Sequence, residues 1–209
     1  MTEKIIDNII NLYNKWGKSD YIGENISQIQ HALQCAYLAE QDNRKNNRDN
    51  FMQNSIVLAS FLHDIGHLIG LENNDVEMRD QIVMNGASLG IVGHEGIGAN
   101  YLREIGFPEL VCELVRGHVQ AKRYLATIKP EYYNKLSDAS KETMRLQGGL
   151  MTPEEINSFN SSIFPDLKII VREYDDLGKD PNWNINEEAG IANMKKRMHV
   201  SLMHAKLFK

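Results

Sequence analysis

His63 and Asp64 stand side by side in Phe61-Leu62-His63-Asp64-Ile65-Gly66-His67, at the end of a run that is otherwise apolar. An aspartate is costly in such a setting unless something positive neutralises it. A metal ion would do so, and imidazole with carboxylate suits iron, zinc or manganese. Further candidate ligands lie at wide spacing: His31, His94, His118 and Asp175. Together they suffice for two metals with open positions, one carboxylate bridging the pair. A structural zinc site would be tighter in sequence and richer in cysteine. A lone His-Asp dipeptide is more often a hydrogen-bonded core histidine followed by a turn residue; the additional histidines carry the metal reading. Adjacent residues on a regular helix cannot share a face. The helix therefore has to end or bend near the pair, and Gly66 is the expected place.

Two cations fall beside these candidates. Lys122 lies four residues after His118, and Arg172 three residues before Asp175, so each shares a helical face with a candidate ligand. An anionic substrate would use both, Arg in a forked fashion. Taken singly, each is by default a solvated surface charge. His67 reads equally as a turn residue or as an imidazole facing a ligand. Tyr21 and Glu24 precede His31 in a turn, where the plain reading is a core tyrosine and a glutamate favoured by a helix N-terminus. His199 and His204 lie in a basic stretch with Lys195, Lys196 and Arg197 and read as solvated helix residues.

The elements that must position these side chains are helices. Residues 3–16 and 25–41 carry apolar side chains at helical spacing. The stretch 43–50 is polar and reads as a loop. Ile56 to Leu62 is apolar on all sides and reads as a central buried helix. Residues 70–93 have no clear period and contain Gly86, Gly90 and Gly93, which predicts a long loop, often a functional feature. Helices are expected over 94–105 and 108–118, broken at Gly106-Phe107-Pro108. That places His94 at a helix start and His118 at a helix end. Thr152-Pro153-Glu154-Glu155 has an N-cap, a first-position proline and a capping-box glutamate, and so opens a helix. Segments 165–177 and 184–206 complete the expected set.

At 209 residues with 42% apolar content and a net charge of −5, the chain reads as one domain with a sizeable core. The acidic balance argues against a nucleic-acid partner. The absence of a long apolar run argues against a membrane span, and the absence of a leader pattern at the start suggests a cytoplasmic location. Cys35 and Cys112 are read as reduced, buried thiols.

The order His31, His63-Asp64, Asp175 resembles the HD-domain superfamily of metal-dependent helical proteins, and His94 and His118 match its two-metal branch. A closer likeness follows from Tyr21-Ile22-Gly23-Glu24, His31-Ala32-Leu33-Gln34-Cys35-Ala36-Tyr37, Gly117 to Leu125, Leu136-Ser137-Asp138-Ala139-Ser140 and Gln147-Gly148-Gly149. These resemble the phosphonate-cleaving mixed-valence diiron oxygenases, over residues 13–180. The family pattern has a 70–93 segment several residues shorter, and it does not extend over the N-terminal helix or the tail after Pro181.

The resemblance implies an all-α fold: a single HD-domain bundle over 1–209, a metal-binding core over 21–177 and a C-terminal helix over 184–206. It implies two iron ions at the centre. One would be held by His31, His63, Asp64 and Asp175; the other by His94, His118 and the bridging Asp64. A mixed Fe(II)/Fe(III) pair would take the substrate hydroxyl and dioxygen. The reaction would cleave the C–P bond of a 1-hydroxy-2-amino- or 1-hydroxy-2-trimethylammonio-ethylphosphonate, giving glycine or glycine betaine and phosphate. Lys122, Ser140 and Arg172 would bind the phosphonate. His67 would touch the substrate. Tyr21 and Glu24 would close the vacant iron position until substrate displaces them, Glu24 then facing the amino group. The alternative is a metal-dependent phosphohydrolase acting on a small phosphoester or nucleotide, using metal-bound hydroxide. A noncatalytic helical binding protein is a third reading, against which the complete ligand set argues. No oligomeric state is implied.

Overall fold

The structure is a computed structural model that describes residues 1–21, 24–73, 81–84 and 87–207, without the side chains of 81–84 and 87–89. The described residues are mainly helical, as expected. In chain order they are α1 (Thr2–Trp16), α2 (Gln28–Gln41), α3 (Asn50–Leu62), α4 (Ile65–Glu72), α5 (His94–Glu104), α6 (Glu109–Ile128), α7 (Pro130–Lys135), α8 (Asp138–Leu146), α9 (Pro153–Asn160), α10 (Pro165–Leu177) and α11 (Glu187–Leu207). A short 3-10 turn, Asn43–Asn47, occupies the expected loop after α2.

Helix starts follow local chemistry. Ser27 and Gln30 form a capping box at α2, and Thr152 and Glu155 form the one foreseen at α9, with Pro153 behind the cap. The Asp49 carboxylate accepts from the Met52 N–H at 2.7 Å and starts α3. From Ser55 to Leu62, α3 is buried on every face. It packs against α2, α6, α10 and α11, which makes it the central helix. The core around it takes Ile6 and Ile9 from α1, Leu114 and Val115 from α6, Val171 from α10 and Met198 from α11.

Four local expectations are corrected. The helix break falls between Leu62 and Ile65, so His63 closes α3 and Asp64 opens α4, with the two helices bent by 45°. Gly66 lies inside α4 and serves a close crossing: a Cβ there would stand 2.0 Å from the His94 carbonyl oxygen. Next, α6 does not stop at His118. It runs 20 residues to Ile128, about 30 Å, and puts His118 in its middle. Gly117 is a packing glycine, since a Cβ would meet the Lys168 stem at 2.4 Å.

The 70–93 segment, whose residues 74–80 and 85–86 lie outside the described set, is not a plain loop. It contains the end of α4 and an antiparallel hairpin, β1 (Gln81–Met84) with β2 (Ala87–Ile91). The register slips between Ile82 and Val83, which leaves Leu89 as the extra residue of a bulge. Finally, α7 and α8 fill the stretch between α6 and α9, where the sequence reading placed no helix. No single helix among the described residues is long and apolar enough to cross a membrane; the bent pair α3–α4 is apolar because it is core.

Candidate metal centre and ligand cavity

Six side chains from five helices and one junction meet at the centre. α2 supplies His31, α3 ends on His63, the α3–α4 junction supplies Asp64, α5 begins with His94, the middle of α6 supplies His118, and α10 supplies Asp175. All four imidazoles and Asp175 are buried. His31 Nε2 and His63 Nε2 lie 3.1 Å apart, as do His94 Nε2 and His118 Nε2. Asp64 stands between the pairs. Its Oδ2 is 3.2 Å from His63 Nε2 and 3.8 Å from His31 Nε2. Its Oδ1 is 3.2 Å from His94 Nε2 and 3.5 Å from His118 Nε2. Asp175 Oδ1 completes the first pair at 3.5 Å from His31 Nε2 and 3.8 Å from His63 Nε2. The sequence reading chose these residues, and the fold brings all of them together.

The outer ring nitrogens fix the chemistry of the inner ones. His31 Nδ1 donates to the Gly178 carbonyl at 2.8 Å, His63 Nδ1 to Ser60 at 2.9 Å, His94 Nδ1 to Ile91 at 3.2 Å and His118 Nδ1 to Val115 at 2.7 Å. A carbonyl oxygen only accepts, so in the neutral ring each Nδ1 holds the hydrogen and each Nε2 presents a lone pair. Such outer partners are what orients and tunes a metal-ligating histidine. Four lone pairs and two carboxylates aimed at one centre repel each other unless cations lie between them. The donor set therefore fits metal binding, and His31, His63, Asp64 and Asp175 on one side with His94 and His118 on the other are the residues that would hold the metal.

Titration tells the same story. Burial would raise the Asp64 carboxyl, but His63 and bonds from His118, His63 and His94 hold it well below the usual range. Burial opposes ionisation of Asp175 too, and is outweighed by Arg172 and His63. At His63, burial is overcome by Asp64 and then Asp175, and the ring is held up at about 9. Burial lowers His31 and His118. Without metal, the proton on His63 partly balances two buried carboxylates, and a metal cation would take its place.

His67 also approaches Asp64 Oδ1, at 3.9 Å, yet its tautomer is the opposite one. Its Nδ1 accepts the Ile91 backbone N–H at 2.9 Å, so the neutral ring carries its hydrogen on Nε2 and offers a donor, not a lone pair. Burial, then His94, keeps it neutral. Cys35 is likewise near His31, with Sγ 3.7 Å from Nε2, but its thiol donates to the Tyr174 carbonyl and burial raises its pKa well up, so it is no thiolate ligand.

A cavity of about 40 Å³ opens beside the cluster, lined by Tyr21, Asp64, His67, His94, His118, Lys122, Ser140, Thr143, Gln147, Arg172, Asp175 and Lys179 among others. Tyr21 stacks on His31 at 3.8 Å, and its hydroxyl donates to Asp175 Oδ1 at 3.4 Å. Burial, then Asp175, keeps that phenol protonated. Lys122 is 4% exposed, and burial beside Arg172 lowers its pKa to about 7. Its Nζ donates to Thr143 Oγ at 3.1 Å.

Arg172 is more committed than its spacing foretold. Its Nη1 donates to Asp175 Oδ2 at 2.6 Å, its Nε to Tyr132 Oη at 3.0 Å, and its other Nη to Asp176. It therefore holds a metal ligand in place as well as facing the cavity. Glu24 borders a separate surface depression with Asp20 and Gln30 and does not line this cavity. Ile22 and Gly23, between Tyr21 and Glu24, lie outside the described residues.

Sequence reasoning missed Lys179, Thr143 and Tyr132. Thr143 sits one turn after Ser140 on α8, a helix that was not expected. Lys179 lies just past α10, where no ligand spacing points to it. Tyr132 belongs to the unforeseen α7.

Comparison with known proteins agrees with this geometry. The HD domain family matches residues 29–155, a span that includes His31, His63, Asp64, His94 and His118. The chain is 43% identical over 180 residues to an uncharacterised protein of Acanthamoeba polyphaga mimivirus, covering 85% of this chain and 75% of the relative. It is 35% identical over 199 residues, 93% of this chain and 90% of the relative, to a [1-hydroxy-2-(trimethylamino)ethyl]phosphonate dioxygenase (glycine-betaine-forming) of Leisingera caerulea. It is 33% identical over 174 residues, 83% of this chain and 78% of the relative, to a hydroxymethylphosphonate dioxygenase of Gimesia maris.

Proposed function

The chain belongs to the HD-domain family, among relatives that are phosphonate dioxygenases, and from that premise we propose that it is a diiron oxygenase that cleaves the C–P bond of a small 1-hydroxyphosphonate. The observation that carries this reading is Asp64, one oxygen toward each pair of imidazoles, beside a cavity walled by Lys122 and Arg172. Asp64 as a bridge, with four imidazole Nε2 atoms as donors, would suit a mixed-valence Fe(II)/Fe(III) pair. Such a pair would supply activation of dioxygen and of the substrate's hydroxyl-bearing carbon.

The protein's own residues do the rest. Lys122 and Arg172 offer N–H donors to the phosphonate oxygens, with Ser140 adding a hydroxyl. His67 Nε2–H faces the same cavity and can donate to the substrate near Asp64. Tyr21, stacked on His31 and bonded to Asp175, covers the His31–His63–Asp175 side until a ligand displaces it. Glu24 is the residue an amino or trimethylammonio group would address in the finer reading, with glycine or glycine betaine and phosphate as products. The two free, buried thiols suit a cytoplasmic location.

The test is anaerobic loading with iron, followed by oxygen uptake and phosphate release with a panel of 1-hydroxyphosphonates. Uptake matched by phosphate release supports the oxygenase. Phosphate release from phosphoesters without oxygen would identify the hydrolase instead.

A further inference from the structure

Lys179 lines the cavity but has no part in the reading above. Its Nζ stands 3.3 Å from Ser140 Oγ, 3.7 Å from Glu24 Oε1 and 5.6 Å from the centre of the Tyr21 ring. Its backbone is anchored at the metal cluster, because the preceding Gly178 carbonyl accepts from His31 Nδ1 at 2.8 Å. Glu24 Oε1 is buried and accepts no hydrogen bond among the described residues. The Lys179 ammonium is therefore its charge partner, and Lys179, not Glu24, meets the cavity.

Among the described residues, the carboxylates that line the cavity are Asp64 and Asp175, both aimed at the histidine pairs. Its cations are Lys122, Arg172 and Lys179. A ligand bearing an ammonium group finds Lys179 between itself and Glu24. Like charges brought close together in a partly desolvated site are strongly disfavoured. A ligand with a phosphonate and no cation is attracted by every cation of the wall.

We infer that Lys179 is a specificity-determining residue: paired with Glu24, it makes the cavity select a small hydroxyphosphonate without a cationic substituent. The inference rests on the phosphonate reading and replaces its finer form, in which an amino group would meet Glu24.

The test compares hydroxymethylphosphonate with 2-amino-1-hydroxyethylphosphonate on the iron-loaded enzyme. Anaerobic calorimetry gives Kd, and oxygen uptake gives kcat/KM. The wild type should favour hydroxymethylphosphonate. Lys179→Met should move the ratio of the two substrates about tenfold toward the amino compound, whereas Lys179→Arg should keep the wild-type ratio. A purely structural role would lower both substrates together and leave the ratio alone. A wild type that prefers the amino compound, or a ratio unmoved in Lys179→Met, overturns the inference while leaving the oxygenase reading intact. If neither phosphonate binds or consumes oxygen, the oxygenase reading falls and this inference with it.

Discussion

The two walls of the cavity are built differently. On the metal wall, each imidazole is locked by a carbonyl: Gly178, Ser60, Ile91 or Val115. Short, stiff side chains from separate helices converge there, and none of the four rings has a free rotor. On the anion wall, two lysines reach in from α6 and from just past the end of α10 toward the short hydroxyls of α8, and each lysine is held by few partners among the described residues. Among the described residues Lys122 bonds only Thr143 Oγ, and Lys179 touches Ser140 Oγ at 3.3 Å. A rigid wall suits chemistry that tolerates little displacement. An adjustable wall suits recognition, where a change of one residue can retune the ligand without disturbing the reaction.

If the walls differ in this way, substitutions should separate into two classes. The largest effect is expected at Asp64. Asp64→Ala removes the group shared by both imidazole pairs, so metal analysis should fall from about two ions per chain to nearly none, with loss of turnover. Retention of one full ion would mean that the carboxylate does not bridge.

Arg172 belongs to both walls and should behave so. The sequence reading had this arginine bind the phosphonate, with no part in holding a metal ligand. Its bond to Asp175 revises that outcome. Arg172→Ala strips a buried partner from Asp175 and Asp176, which should cost about 3–5 kcal/mol in denaturant unfolding of the metal-free protein and roughly ten- to a hundredfold in metal affinity. Unchanged metal affinity with a raised KM would assign Arg172 to the anion wall alone.

Lys122 should act on the ligand only. Lys122→Met is expected to raise KM for a phosphonate roughly ten- to a hundredfold, about 1.5–3 kcal/mol, with metals retained. The pH dependence has a definite sign. Burial lowers the Lys122 pKa to about 7, so the ammonium is present below that pH and lost above it. A bound anion favours the charged form, so binding above this pH takes up a proton and weakens as pH rises. The KM of the wild type should therefore climb above about pH 7, and this component should vanish in Lys122→Met. Ser140→Ala marks the small end of the series. One neutral hydrogen bond is worth about 0.5–1.5 kcal/mol, so KM should rise only a few-fold, read by steady-state kinetics.

The same division governs what the sequence discloses. His31, His63, Asp64, His94, His118 and Asp175 were all legible, because a set of residue types with one chemistry can be recognised at any spacing. The carbonyls that fix their tautomers were not, since a backbone acceptor leaves no mark on residue identity. Lys122 and Arg172 were found by sharing a helical face with a ligand. Lys179 could not be, because it lies beyond the end of α10 and acts through Glu24 and Ser140, which are distant in sequence. The helix break was misplaced by two residues for a similar reason. Gly66 looks like a helix breaker by propensity, and only the crossing of α4 over α5 reveals why the side chain has to be absent. Gly117 misled in the same way: it was read near a helix end and lies inside a 20-residue helix.

That crossing can be seen as a length standard. At Gly66 two backbones meet with no side chain between them, and His94 is the residue on the far side. The spacing between Asp64, two residues earlier, and His94 is thus set by the thickness of bare peptide, the least compressible gauge a protein has. Gly66→Ala would leave every metal ligand in the chain yet insert a methyl where 2.0 Å is available. The two halves of the cluster would then be pushed apart mechanically, which offers a way to vary the separation of the two imidazole pairs without altering a single candidate ligand atom.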